Sequence, residues 1–189
     1  NRGAISSPEE LLMGKASGVV ITNGGGVNPV ACADAILEAA MDLDIGKLDV
    51  AVVLGDNILD CLDDIIAKGC PLENMETHEP ITNVKDKLLS ANVYFGAMPI
   101  VEALKRGADI VITGRTTDTG LTLAPMIYEF GWSYDEWDKL AAGIVGGHIN
   151  ECGAQSTGGN FLAGWEEVPD MDLIGFPIIE AYPDGHLVV

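Results

Sequence analysis

The sequence predicts an α/β fold, a doubly wound and mostly parallel sheet with helices on both faces. Short apolar segments rich in β-branched residues alternate with longer segments whose apolar residues recur at helical spacing. Such alternation is typical of βαβ units, whose strands run parallel and whose helices cover the sheet. The chain has 189 residues, 48% of them hydrophobic, which predicts a single domain with a substantial core.

Three segments have the composition of buried strands: Ser17–Thr22, Leu48–Leu54 and Asp109–Thr113. From Gly146 onward the chain is glycine-rich and polar, and this C-terminal third ends in a predicted β-hairpin over residues 178–189 with a Pro-Asp-Gly turn. The chain stops inside this strand pattern, so we expect it to be a piece of a longer polypeptide.

Five helices are predicted between and after the strands. Asn28 is the expected N-cap and Pro29 the first residue of a helix that ends near Asp42. The other four are expected at 56–69, 96–106, 116–130 and 133–143, the last opened by a capping box of Ser133 and Glu136. Residues 70–90 are polar and contain two prolines, which predicts a long connection or an insertion.

The charge balance excludes several classes of partner. Ten Lys or Arg residues stand against 29 Asp or Glu residues, a formal net charge of −19, whereas nucleic acids and anionic membranes need clustered cations. Apolar runs are far shorter than the roughly 20 residues that span a bilayer. The N-terminal residues show no secretory signal, and the four cysteines lack zinc-type spacing. We therefore expect a cytoplasmic protein with reduced thiols and a small-molecule ligand.

Ligands of open α/β sheets bind beyond the carboxyl ends of the strands. The first such loop gives five candidate ligand-binding residues, Asn23, Gly24, Gly25, Gly26 and Asn28. Its glycines allow close backbone approach, and a helix N-terminus follows. The loop is a near match to the dinucleotide fingerprint, with Pro29 in place of the third glycine and Asp56 as the ribose-binding acid. A tight turn with Asp56 as a helix N-cap is the alternative.

The second loop follows the third predicted strand. Gly114, Arg115, Thr116 and Asp118 are its candidate anion-binding residues, because a guanidinium beside a helix N-terminus can bind a carboxylate or phosphate. In the alternative interpretation, Arg115 pairs with a surface acid such as Asp118, and the threonines cap the helix.

The third loop is expected at residues 146–159. His148 and Glu151 are the candidate catalytic acid–base pair. Gln155, Thr157 and Gly158 are candidate ligand-binding residues. Cys152 is expected to be structural rather than nucleophilic. No metal is assigned, because the spacing of His148, Glu151 and Asp118 is not diagnostic.

The same loops resemble the acyclic terpene utilisation family AtuA. The resemblance rests on ITNGGGVNP, LSANVYFGAMPIVEAL, GADIVITGRTTDTGL and, above all, GHINECGAQSTGGNF, and it runs from about Gly18 to the C-terminus. Members of the family have a further N-terminal stretch, so residues 1–189 resemble a single domain lacking its N-terminal part. Tyr128 stands where members commonly have histidine.

The resemblance implies catabolism of branched, terpenoid acids as CoA thioesters, alongside biotin-dependent acyl-CoA carboxylases. A lyase or hydratase is the leading hypothesis, with a CoA thioester as substrate and no cofactor assigned. In it, Arg115 and the helix N-termini hold the anionic groups, and His148 or Glu151 moves the proton beside the thioester. The alternative is a ligand-binding or assembly subunit, as a homo-oligomer or with proteins of the carboxylase pathway. A nucleotide-binding enzyme that uses Asp56 is a third hypothesis.

Overall fold

A computed structural model describes residues 18–26 and 28–189 of the chain, and in them it has a mixed α/β fold. Three parallel strands form one sheet in the order β1-β3-β2. These strands are β1 (Val20–Thr22), β2 (Val50–Val53) and β3 (Ile110–Thr113). The three predicted strands are thus confirmed, each somewhat shorter than expected, and Ser17 lies outside the described residues.

Five α-helices accompany the sheet in this part of the chain. They are α1 (Pro29–Asp42), α2 (Leu62–Ala67), α3 (Met98–Lys105), α4 (Gly120–Phe130) and α5 (Trp137–Glu151). The first begins as predicted, because Asn28 Oδ1 accepts a hydrogen bond from the Ala31 N–H at 3.1 Å and proline follows the cap. No helix of residues 18–26 and 28–189 is long and apolar enough to cross a bilayer.

The central strand divides the core into two apolar layers. Ile110 and Ile112 pack with Val20 and with Ile36 of α1, while Val111 packs with α3 and α4 on the opposite face. Successive side chains of a strand point to opposite faces, which is why a continuous apolar strand has helices on both sides. Double winding of a larger sheet stays a prediction.

The structure corrects the predicted start of the second helix. Asp56 is not an N-cap, because Asn57 Oδ1 accepts the Leu59 N–H at 3.0 Å instead. A 3₁₀ turn at Leu59–Cys61 then leads into α2, and Gly69 follows its end with a φ of +94°. The connection at residues 70–90 contains two further 3₁₀ turns, Ile81–Asn83 and Lys85–Lys87.

The last helix also differs from the prediction at both ends. It begins at Trp137, since only half of the expected capping box forms: the Glu136 carboxylate accepts the Ser133 backbone N–H at 2.7 Å. It continues past Gly143 to Glu151, so the predicted loop at 146–151 is wrong. Beyond it, 3₁₀ turns lead to two short antiparallel strands, β4 (Glu180–Ala181) and β5 (Leu187–Val188).

A buried carboxylate connects the loops at the carboxyl ends of β2 and β3. Asp56 is 5% exposed, and its Oδ2 accepts hydrogen bonds from the Arg115 backbone N–H and from Asn92 Nδ2, each at 2.8 Å. A side chain on Gly114 would overlap this carboxylate, which explains the glycine there. Burial raises the pKa of the Asp56 carboxyl, but the hydrogen bonds from Arg115 and Asn92 outweigh burial, so its pKa lies below the ordinary value.

We expect this carboxylate to make the protein less stable in acid. Because its pKa is lowered by folding, the stabilisation is complete above the ordinary Asp pKa of about 3.9 and is lost as pH falls through the folded-state value. Asp56→Asn should lower the free energy of unfolding at neutral pH by about 1–3 kcal/mol, because it leaves buried donors facing an amide. The same substitution should flatten the acid dependence.

Urea unfolding at several pH values measures both effects. The exposed Asp60→Asn is the matched control and should change the free energy of unfolding by no more than about 0.5 kcal/mol. An Asp56→Asn protein with the wild-type stability and the wild-type acid slope would show that the carboxylate does not hold these loops.

Candidate functional site

The first and second predicted loops lie side by side beyond the strands. Asn23, which follows β1, donates from Nδ2 to Asp118 Oδ1 at 3.2 Å. Gly25 is buried behind them, and a Cβ there would lie 2.8 Å from Ile112 Cγ2 and from Pro29 Cα. This glycine therefore allows the close helix–strand packing that the dinucleotide fingerprint assigns to its third glycine.

The third predicted element reaches the same region as a helix. Gly147 of α5 lies against the start of α4, where a Cβ would be 2.6 Å from the Thr119 carbonyl oxygen. Gly143, one turn earlier, is similarly close to Leu123. Two glycines four residues apart form one face of a helix, so α5 approaches α4 without intervening side chains. The next turn of α5 is thereby placed beside Asp118.

A cavity of about 470 Å³ opens at this helix contact. Its apolar wall comes from β1 and its preceding residue, from α3 and from α4: Val19, Ile21, Leu104, Leu121 and Pro125. Its polar wall comes from the second loop, α4 and the end of α5: Asp118, Thr122, Tyr128, Glu129, Asn150 and Glu151. The volume is within the range of about 300–1,000 Å³ that is usual for small-molecule sites. Of the two candidate catalytic residues, Glu151 lines this cavity.

Three chemically active side chains gather at the end of α5. His148 Nδ1 and Glu151 Oε1 are 3.1 Å apart, and Cys152 Sγ donates to the same Oε1 at 3.1 Å. The His148 side chain is 72% exposed and that of Glu151 28%, so the histidine faces solvent and the carboxylate faces the cavity. The hydrogen bond to Glu151, together with burial and the charge of Asp118, raises the pKa of the Cys152 thiol. A protonated thiol is a poor nucleophile.

Arg115 lies apart from the first cavity. Its guanidinium donates to the Tyr94 hydroxyl at 2.6 Å and lies 4.8 Å from the centre of that ring, and the bond to Tyr94 raises the pKa of Arg115. In the loop that follows, Thr116 is buried and donates its hydroxyl to the Phe95 carbonyl at 2.8 Å. The structure therefore does not bring Arg115 to one cavity with Gly25 and His148.

Other predicted residues line a second cavity of about 340 Å³. Gly26 and Asn28 form one side of it, and Asp56, Asn57 and Asn92 form the other. Gly24 is exposed and donates its N–H to Thr22 Oγ1 at 2.9 Å. The glycine loop thus contributes to a different cavity from the one that Glu151 lines.

The three remaining predicted residues form the turn after α5. Thr157 donates its hydroxyl to the Gly175 carbonyl at 2.6 Å, which connects the turn to the C-terminal segment. Gln155 accepts from Asn160 at 3.4 Å, and Gly158 has a φ of +118°, a conformation that favours glycine. The contact of Gln155 is local, whereas that of Thr157 reaches the C-terminal segment.

Sequence reasoning missed several cavity residues, namely Thr122, Tyr128, Glu129 and Asn150. The spacing of Gly143 and Gly147 could have indicated this part of the cavity, since glycines one helical turn apart are typical of close helix contacts. Continuing α5 through that spacing places Asn150 and Glu151 on the turn that follows the contact.

Comparison with known proteins identifies the family. The family model described as acyclic terpene utilisation family protein AtuA matches residues 12–189. No curated protein and no solved structure matches the chain.

We predict that Gly147→Ala destabilises the protein and distorts the cavity. Alanine in place of a helical glycine ordinarily stabilises by up to about 1 kcal/mol. Here the new methyl group meets backbone atoms of Thr119, so overpacking should lower the free energy of unfolding by about 1–3 kcal/mol. Urea unfolding measures the change. Gly96→Ala is the control, because no neighbouring atom lies within 4 Å of its Cβ position. A Gly147→Ala protein at least as stable as the control would contradict the close contact.

Proposed function

Because the chain belongs to the acyclic terpene utilisation family AtuA, we propose that it is an enzyme of branched, terpenoid acyl-CoA catabolism with hydratase or lyase chemistry. The observation that carries the proposal is the cavity with one apolar wall and the Glu151 carboxylate on its polar wall. An apolar wall suits a methyl-branched hydrocarbon chain, and a carboxylate can accept and return a proton.

The charge of the cavity favours one orientation of such a substrate. Asp118, Glu129 and Glu151 all line it, in a chain of net charge −19, so an anionic group would be repelled there. The uncharged acyl chain therefore occupies the cavity, the thioester lies near Glu151, and the phosphates of CoA stay outside.

The proposed reaction is addition of water to a double bond conjugated with the thioester. Glu151 takes a proton from water as the oxygen bonds to the β-carbon, and the protonated Glu151 then returns this proton to the α-carbon, which restores the carboxylate. His148, whose Nδ1 lies 3.1 Å from Glu151 Oε1, holds the carboxylate in position. The lyase direction is the reverse of these steps.

Glu151→Gln should lower turnover of a branched 2,3-unsaturated acyl-CoA by roughly 10²–10⁴-fold, the usual contribution of a general acid–base group. The measurement follows loss of the conjugated thioester absorbance, with calorimetry for binding. Glu129→Gln, which removes a charge from the same cavity, is the matched control and should keep most of the turnover. Equal turnover by Glu151→Gln and the control, or no binding of the thioester by the wild type, would contradict the proposal.

A second candidate function is that of an assembly subunit. It is supported by apolar side chains that lie exposed in the C-terminal segment: Phe161, Leu162, Trp165, Leu173, Phe176 and Ile178. Exposed apolar surface of this kind is typical of sites that bind another protein.

If this surface binds a second copy of the chain, light scattering should detect an oligomer that Leu162→Asp converts to monomer. Leu162 is 83% exposed, so the substitution should leave the fold intact. Met75→Asp, at a position 93% exposed and outside the segment, is the control and should not change the mass. A wild-type protein that stays monomeric as its concentration rises would contradict self-assembly.

A further inference from the structure

The end of α5 carries three different metal-ligating groups on adjoining positions. One ligand atom from each of His148, Glu151 and Cys152 lies within 4.8 Å of the other two. We propose that these residues bind a divalent transition-metal ion of the zinc type, with a further coordination position open toward the cavity. No metal was assigned here from the sequence, because the spacing of His148, Glu151 and Asp118 is not diagnostic.

The separations suit a tetrahedral ion. Zinc binds imidazole nitrogen and carboxylate oxygen at about 2.0–2.2 Å and thiolate sulfur at about 2.3 Å, which places neighbouring ligand atoms roughly 3.3–3.6 Å apart. The distances from Glu151 Oε1 to His148 Nδ1 and to Cys152 Sγ are both 3.1 Å. All three ligand atoms lie within 4.8 Å of one another, so rotations of these side chains are enough to admit the ion.

The backbone explains why these groups meet. His148 and Glu151 are three residues apart on α5, which places them on one face of the helix. Cys152 is the C-cap, and at Gly153 the chain turns with a φ of +55°. A Cβ on Gly153 would lie 3.0 Å from the Phe176 ring, so the packing of this ring holds the turn.

The chemistry of the ligands selects the kind of metal. Thiolate and imidazole suit zinc and similar ions, whereas magnesium and calcium prefer oxygen. On binding, the Cys152 thiol releases its proton to solvent, and imidazole binds as the neutral form. One thiolate and one carboxylate then balance the two positive charges of the ion, and the nearby Asp118, whose charge acts on Cys152, adds to the attraction.

This inference shares its cavity with the proposed function but does not depend on the substrate. With metal bound, Glu151 would be a ligand through Oε1, which would leave its second carboxylate oxygen to accept the proton, and the ion would supply a Lewis acid beside the cavity. Metal binding is measured without thioester, so failure of the metal proposal can be distinguished from failure of the proposed function. Metal binding without turnover would contradict the function alone, and turnover by metal-free protein would contradict the metal as its cofactor.

The test is titration of chelator-treated protein with Co²⁺, a spectroscopic substitute for Zn²⁺. We expect a near-ultraviolet sulfur-to-cobalt charge-transfer band that saturates at one equivalent and disappears when Zn²⁺ is added. Cys152→Ser should abolish the band. His148→Gln and Glu151→Gln should weaken Zn²⁺ binding in calorimetry by more than the roughly 10–100-fold that loss of an outer-shell partner costs. Cys61→Ser, at an exposed cysteine elsewhere, should keep the band.

A second measurement needs no variant and therefore tests the proposal even if a variant fails to fold. In the wild-type protein, Zn²⁺ should protect Cys152, but not Cys61, from an alkylating reagent, as mapped by mass spectrometry. Absence of the band in the wild type, its persistence in Cys152→Ser, or equal alkylation of both cysteines with Zn²⁺ present would overturn the proposal.

Discussion

The hydrogen bonds of the buried Asp56 carboxylate set the relative positions of the loops at one end of the sheet. An ionised group that is 5% exposed is stable only when hydrogen bonds replace its lost water. Here the replacements come from the backbone N–H of Arg115 and the side chain of Asn92. The hydrogen bond to the Arg115 backbone fixes the start of the loop after β3. The same loop carries Asp118, which lines the cavity, so the position of the cavity wall depends on this carboxylate. Gly114 is part of the same arrangement, since it leaves the space that the carboxylate fills.

The second constraint is the contact of α5 with α4 through glycine. Gly143 and Gly147 weaken the helix intrinsically, but they allow a backbone approach that side chains would block. The contact places a polar helix end against the apolar residues of β1 and α4, and this produces a cavity with one wall of each kind. Such a combination suits a ligand with a hydrocarbon chain and one reactive polar group.

The electrostatics of the site follow from the excess of acids. With a formal charge of −19 and carboxylates around the cavity, the site favours cations and uncharged groups over anions. The guanidinium of Arg115 is bound to Tyr94 rather than directed into this cavity. The expectation of an anion held jointly by Arg115, the glycine loop and His148 therefore does not match the observed arrangement.

Local pattern was enough to predict the order of strands and helices, the cap at Asn28, the acidic character of the chain and its family. These properties depend on residues close in the sequence or on composition, so they can be read without coordinates. The grouping of the site was decided by tertiary structure: Asp56 as a support rather than a cap, Arg115 beside Tyr94, and Asp118 with Glu151 on one cavity while Gly26 and Asn28 line another. The prediction of a loop at residues 146–151 was wrong, because glycine is common both in loops and in helices that pack closely. Gly147 is required because the backbone of Thr119 leaves no space for a side chain there. Local sequence preferences cannot show this, since the contact exists only once α4 and α5 have packed.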